Sequence, residues 1–474
     1  MTSTAVSTAD FSATELLAGY RSGELSPVRA TQDALDRIEA LNQQVNAYCL
    51  VDAAGALRAA RASEARWRDG RPVGPLDGVP ISIKDILLTK GWPTLRGSLT
   101  VDATGPWEVD GPPVARVRAA GAVLLGKVTT PELAWKGVTD SPRHGITRNA
   151  WDPSLTAGGS SGGSASAVAL GMGAGSLGTD GGGSVRIPAS FSGIVAHKPT
   201  YGLVPHHPGS PFGTLAHVGP MTRTAADAAL LLDVISGTDT RDPWALPPVT
   251  RPCVPALSGA TSALRGLKIA ASPTLGYVSV HPEVAAAFAE AVRVFAALGA
   301  EVTEEDPGFA DPVDPFHVLW FAGAAKCVEH LDDEGLAKLD PGLAEIVAAG
   351  REYSAIDFLT AMAVRNDMGT LMGAFHERYP LLLTPTMPIP AFEAGVEAPA
   401  GSASPRWTGW TPFTYPFNMT QQPAASVNCC FTSSGLPIGL QIIGPRHADA
   451  QVLAAAHAFQ QATDWHTRQP TLLR

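Results

Sequence analysis

Residues 157–186, AGGSSGGSASAVALGMGAGSLGTDGGGSVR, constrain the fold of this chain more than any other stretch. Glycine and serine crowd it, yet apolar residues recur inside ASAVALGMGAGSLG, which a flexible linker would not carry. The pattern predicts a helix of small residues packed tightly into a core, flanked by two glycine–serine turns, GGSSGG and DGGGS. Glycine and alanine in such a helix let backbones approach closely. The remaining composition agrees with a packed chain. Hydrophobic residues make up 45%, and 48 glycines with 40 prolines in 474 residues imply many tight turns rather than a low-complexity chain.

Strand and helix patterns alternate on either side. Leu16, Leu17 and Tyr20, then Ala34, Leu35, Ile38 and Leu41 after Ser26-Pro27, recur at helical spacing. In GVPISIKDILL, Val79, Ile81 and Ile83 alternate with Ser82 and Lys84 as in a strand. PPVARVRAAG predicts a short helix closed by Gly121, then a strand at 123–125. A strand at 266–272 is followed by a helix with Val284, Phe288, Val292 and Phe295 in one stripe, Gly299, and a strand at 301–303. PLLLTPTMP is a short buried strand, and the proline-rich residues 242–255 cross the surface. This order predicts an α/β fold with a mixed sheet and crossover connections. One domain over residues 1–474 is expected, with a variable region near 310–420.

The formal net charge is −10 and lysine and arginine form no run, which argues against a nucleic-acid surface. Cys49, Cys253, Cys327, Cys429 and Cys430 are odd in number and lack metal-type spacing, as expected of reduced structural thiols in a cytoplasmic protein. The first fifteen residues lack the pattern of a secretion signal, and no apolar run reaches the ~18 residues of a membrane span. No metal, nucleic acid or membrane is expected as a partner.

Three generic motifs fall inside the glycine–serine stretch. Gly173, Gly175 and Gly178 have dinucleotide-loop spacing, but no Asp or Glu occurs from Gly181 through Ala226 to hold a ribose. A phosphate loop fails because no Gly-Lys-Ser/Thr follows. Gly159-Ser-Ser161-Gly-Gly163 has nucleophile-elbow spacing with Ser161 central, yet no apolar strand precedes it. Two turns rich in backbone N–H groups can instead form an oxyanion hole, with a serine of the second turn beside it. That serine needs a base, and no histidine lies within the stretch. Lys84, on an apolar strand, could be neutral by burial and take a serine proton. Taken alone, a strand lysine more often forms a salt bridge or faces solvent.

GGSSGGSASAVALGMGAGSLGTDGGGSVRIPASFSGIVAHKPT (158–200) resembles the amidase signature family of serine hydrolases almost end to end. GPLDGVPISIKD, GAVLLGKVTTPEL, HVGPMTRTAADAALLLDVISG and GLPIGLQIIGP extend the resemblance along the chain, with residues 74–237 as the signature core. It implies a large, mixed, mostly parallel twisted sheet covered by helices on both faces. It also implies a catalytic set: Ser184 as nucleophile, Ser160 as bridging serine after a cis peptide bond, and Lys84 as general base. Gly181, Gly182, Gly183 and Ser184 would supply oxyanion N–H groups, with Ser161, Asp180 and Arg186 in support. The implied reaction is acyl transfer without metal or organic cofactor, faster at alkaline pH as the lysine loses its proton.

The family's substrates include small, aryl and fatty amides, nylon oligomers and carbamates. Phe316, Trp320, Phe321, Trp407, Trp410 and Phe413 lie where the family varies, and their aromatic area suits a bulky apolar or aryl amide, ester or carbamate. Apart from Arg406 that region carries little charge, so a strongly charged amino-acid side chain is not expected as the ligand. Cys429-Cys430-Phe431 departs from the family's usual proline and glycine and could alter a wall near the site. A monomer or homodimer acting on a small molecule is expected. The competing expectation is the A-type component of a tRNA-dependent amidotransferase in a protein–RNA assembly, against which Arg186-Ile187-Pro188 stands.

Overall fold

Local capping sets the first helices. Ser12 accepts from the Glu15 N–H and Glu15 reaches back to the Ser12 N–H, so Ala13–Ser22 starts with its orphan donors satisfied and stops at Gly23, where φ is 77°. Ser26 caps Pro27–Val45 with proline at the first helical position, where its missing N–H costs nothing. The structure, a computed structural model, describes residues 7–247 and 252–473.

The sheet strands are β1 (Tyr48–Val51), β2 (Pro80–Lys84), β3 (Val123–Val128), β4 (Gly175–Asp180), β5 (Val195–Lys198) and β6 (His217–Thr222). They continue with β7 (Lys268–Ala271), β8 (Glu301–Glu304), β9 (Leu381–Pro385), β10 (Ala424–Phe431) and β11 (Pro437–Ile443). All eleven join one sheet in the order β1-β3-β2-β4-β6-β5-β10-β11-β9-β7-β8. The sheet is mixed, but the expectation of a mostly parallel one is corrected. Four of the ten neighbouring pairs among the described residues are parallel: β3–β2, β2–β4, β9–β7 and β7–β8. They flank an antiparallel centre. There β10 and β11 are joined by residues 432–436 alone, too short for the crossover that parallel neighbours need.

Both faces of the sheet are covered. Along β3, Leu124 belongs to one buried cluster, while Val123, Leu125 and Val128 belong to another. Helix Pro282–Ala297 buries Val284, Phe288 and Phe295 against the sheet and hands over to β8 through Gly299 at φ 96°.

The small-residue stretch is helical only over Gly162–Ala169. Gly171 (φ 68°) and Gly173 (φ 140°) then turn the chain through conformations that side chains resist, and GSLGTD runs as β4 inside the sheet. The single long helix expected there is therefore corrected. Residues this small carry no periodicity, and pairing with β2 and β6 decides their conformation.

Residues 242–247 are exposed or half-exposed, as a surface crossing requires; the rest of that reading falls partly on residues 248–251, and the leader reading partly on residues 1–6, all outside the described residues. No described helix is long and apolar enough to cross a membrane.

Candidate active site

Because β2 and β4 are parallel neighbours, their carboxyl ends emerge side by side. Lys84 ends β2, and its Nζ lies 2.7 Å from Ser160 Oγ and 2.8 Å from the Thr179 hydroxyl on β4. Burial pushes the Lys84 pKa well below the ordinary lysine value, and the charge of Asp180 only partly opposes this. Lys127 and Lys198 are buried as deeply. Lys127 donates to the Leu87 carbonyl and the Thr94 hydroxyl and pairs with Asp85, while Lys198 donates to the carbonyls of Gln422 and Pro199. Of these three, Lys84 alone meets a serine hydroxyl.

The two turns lock onto each other. The Gly159–Ser160 peptide is cis. The Ser161 N–H donates to the Ser184 carbonyl at 3.1 Å, and the Ser161 hydroxyl donates to the Thr179 carbonyl at 3.1 Å. Ser161 is fully buried with its hydroxyl engaged, so the elbow reading has no exposed nucleophile.

Asp180 organises the turn at 181–184. It accepts from the N–H groups of Gly183 (2.7 Å) and Val185 (3.2 Å), from Arg186 Nε and Nη2 (3.0 Å each) and from Asn418 Nδ2 (2.9 Å). Burial alone would raise its pKa, but the charge and hydrogen bonds of Arg186, with Lys198 and Asn418, hold it below the ordinary carboxylate range. Arg186, equally buried, also donates to the Thr414 carbonyl, Gln441 Oε1 and Asn418 Oδ1. With the Gly183 N–H spent on Asp180, that residue leaves the expected oxyanion set. The N–H groups of Gly181, Gly182 and Ser184 make no hydrogen bond to a described residue, nor does the Ser184 hydroxyl.

Ser160, Thr179, Gly181 and Ser184 open onto a cavity of about 310 Å³. Its other walls include Ile86, Arg96, Leu133, His206, Phe212 and Trp320. Of the six aromatics expected there, only Trp320 lines it, stacked on Phe212 with centroids 4.0 Å apart.

The other five are corrected to packing roles. Phe316 and Trp407 stand behind the 181–184 turn, where a Cβ on Gly182 would come within 2.9 Å of one and 2.7 Å of the other. Trp410 stacks on Phe191, Phe413 is fully buried, and Phe321 stacks on His317. Arg406 is spent on Glu345 and Glu397. Phe431 packs on Trp151 and under Arg468, and neither it nor Cys429 and Cys430 reaches the cavity wall.

Sequence reasoning missed Thr179, Asn418, Gln441, Arg96 and Phe212. Thr179 lies in the quoted 158–200 stretch and Gln441 in the quoted GLQIIGP motif, so a signal existed for both. It also missed a cluster in which the ligand atoms of Cys49, Asp85 and His144 lie within 4.8 Å of one another. There Lys127 Nζ lies 3.3 Å from the Asp85 carboxylate.

The amidase family model matches residues 29–453. An acylamidase of Rhodococcus erythropolis is 37% identical over 469 residues, 97% of each chain. The A-type component of the glutamyl-tRNA(Gln) amidotransferase of Chromohalobacter salexigens is 36% identical over 97% of this chain and 98% of its own. The crystal structure of a bacterial aryl acylamidase superposes with a TM-score of 0.89 at 30% identity, over 96% of this chain and 98% of that one. The chain belongs to the amidase signature family. As a class it is a hydrolase acting on amides.

Proposed function

We propose that this protein cleaves hydrophobic or aryl amides through an acyl-enzyme on Ser184, with Ser160 relaying a proton between Ser184 and Lys84. The observation that carries this reading is the 2.7 Å contact between a buried lysine of depressed pKa and the Ser160 hydroxyl on the cavity wall. Neutral Lys84 draws the Ser160 proton as Ser160 takes that of Ser184, whose Oγ attacks the amide carbon. The N–H groups of Gly181, Gly182 and Ser184 receive the negative charge on oxygen. The relayed proton passes to the nitrogen as the C–N bond breaks, and water then releases the acid by the same route in reverse. Asp180, Arg186 and Ser161 hold the two turns in register. Esters and carbamates present the same attackable carbonyl and fall within the proposed range.

The test uses the purified chain on an aryl anilide, an aryl carbamate of the same aniline and a small aliphatic primary amide, with Ser184→Ala as blank. Cleavage of the aromatic pair supports the reading. Turnover of the small amide alone would remove the aryl preference and leave the chemistry. A second reading, the A-type component of an amidotransferase, is favoured by the 36% identity to such a protein. Ammonia release from glutamine with no anilide turnover would select it.

A further inference from the structure

The cavity holds a charge that the proposed reaction does not use. Arg96 lines the wall shared with Ser160 and Ser184, and its guanidinium makes no hydrogen bond or ion pair with any described residue. Other half-buried or buried arginines are held: Arg66 by Asp77, Arg186 by Asp180, Arg365 by the carbonyls of Met419 and Thr214. Arg96 is tethered by its backbone instead. Its carbonyl accepts from the Leu133 N–H at 2.8 Å, and its φ of 56° is in the left-handed region.

Nothing in the cavity wall balances this charge. The one carboxylate there, Asp180, is fully subscribed by Arg186, Asn418 and two N–H groups. His206 is kept uncharged by burial, its pKa pushed down to about 4 against the pull of Asp242. The Arg96 charge acts on His206 and also on Cys327, both on the cavity wall. The stacked Phe212 and Trp320 form an apolar wall of the same cavity. A site with one flat aromatic wall and one bare guanidinium is matched by a ligand with an apolar body and a carboxylate, which a guanidinium grips with two parallel hydrogen bonds.

The geometry points to Arg96 as the residue that selects amides carrying a carboxylate away from the scissile bond. This rests on the reading of Ser184 as the acylated residue.

Two matched pairs test it. N-phenylsuccinamate against N-phenylpentanamide places the carboxylate on the acyl side; 4-acetamidobenzoate against 4-methylacetanilide places it on the amine side. In at least one pair the native enzyme should favour the carboxylate by about tenfold or more in kcat/KM, chiefly through KM. Arg96→Gln should abolish that preference while turning over the neutral partner at nearly the native rate, and Arg96→Lys should keep part of it. The neutral substrate and the melting temperature report folding of each variant.

The inference is overturned if neither pair shows a carboxylate preference. It is equally overturned if Arg96→Gln keeps the preference, or loses neutral turnover while melting like the native protein. Ser184-dependent hydrolysis of the neutral anilides without carboxylate preference would sink this inference alone. Failure to cleave any of the four would sink the underlying reading.

Discussion

Asp180→Asn tests how the turn at 181–184 is held. Five donors converge on the Asp180 carboxylate, two from the backbone, two from Arg186 and one from Asn418, all without solvent. Asparagine keeps the shape, removes the charge and places an NH₂ against at least two of those donors. The Arg186 guanidinium is then left buried without a counter-ion, a loss of about 3–5 kcal/mol. Against a total stability of ~5–15 kcal/mol this is a large fraction. Urea titration at pH 7, read by tryptophan fluorescence, should show it, together with a fall in kcat of about 10²-fold or more as the free N–H groups move.

The sign of the pH dependence follows from the direction of the shift. Asp180 is held below its ordinary 3.8, so its contribution is complete above that value and lost only as pH falls through the lower folded value. The gap between native and variant should therefore stay constant from pH 7 to 5. A loss under about 1 kcal/mol, against the ~3–5 kcal/mol expected for a broken buried pair, or a gap that closes above pH 5, would refute the reasoning.

Three further outcomes are expected. The native rate should rise with pH through an apparent pKa below the ordinary lysine 10.5 and then level off, because the neutral amine is the active form; Lys84→Ala should lose about 10²–10⁴-fold and the rise itself, in a stopped pH–rate series. Phe316→Ala should cost about 3–5 kcal/mol of stability, whereas Phe212→Ala should mainly raise KM for aryl substrates, separating the packing aromatic from the cavity aromatic by calorimetry and steady-state kinetics. Gly182→Ala should depress kcat at near-native expression, since its Cβ would meet Trp407 at 2.7 Å and push the turn outward.

Lys84 and the two serine turns were legible as one candidate site through the family resemblance, since residue chemistry alone left Lys84 salt-bridged or facing solvent. Lys84 and the two serine turns are some eighty to a hundred residues apart, yet their motifs are distinctive, and adjacent parallel strands bring Lys84 beside Ser160 and Thr179. The glycine stops at Gly121 and Gly299 were equally plain. What was not legible depended on tertiary pairing. GSLGTD has no side-chain pattern to separate helix from strand, and its place between β2 and β6 decided it. The balance of parallel and antiparallel pairs depends on how strands far apart in the chain meet.

The pocket was misassigned for a related reason. Phe316, Trp407 and Phe413 are as hydrophobic as any cavity wall, and composition does not tell a residue that faces substrate from one that backs the loop facing it. The cavity is shaped instead by the proline- and glycine-rich residues 206–216 and by Arg96, whose left-handed backbone no motif announces.

The most direct measurement is the site of acylation. The enzyme is incubated with a fluorophosphonate or a slowly deacylating aryl ester, digested and mapped by mass spectrometry. The account predicts a single adduct on Ser184, absent from Ser184→Ala and formed far more slowly in Lys84→Ala. An adduct on Ser160 or Ser161, or amide hydrolysis that persists in Ser184→Ala, would contradict it.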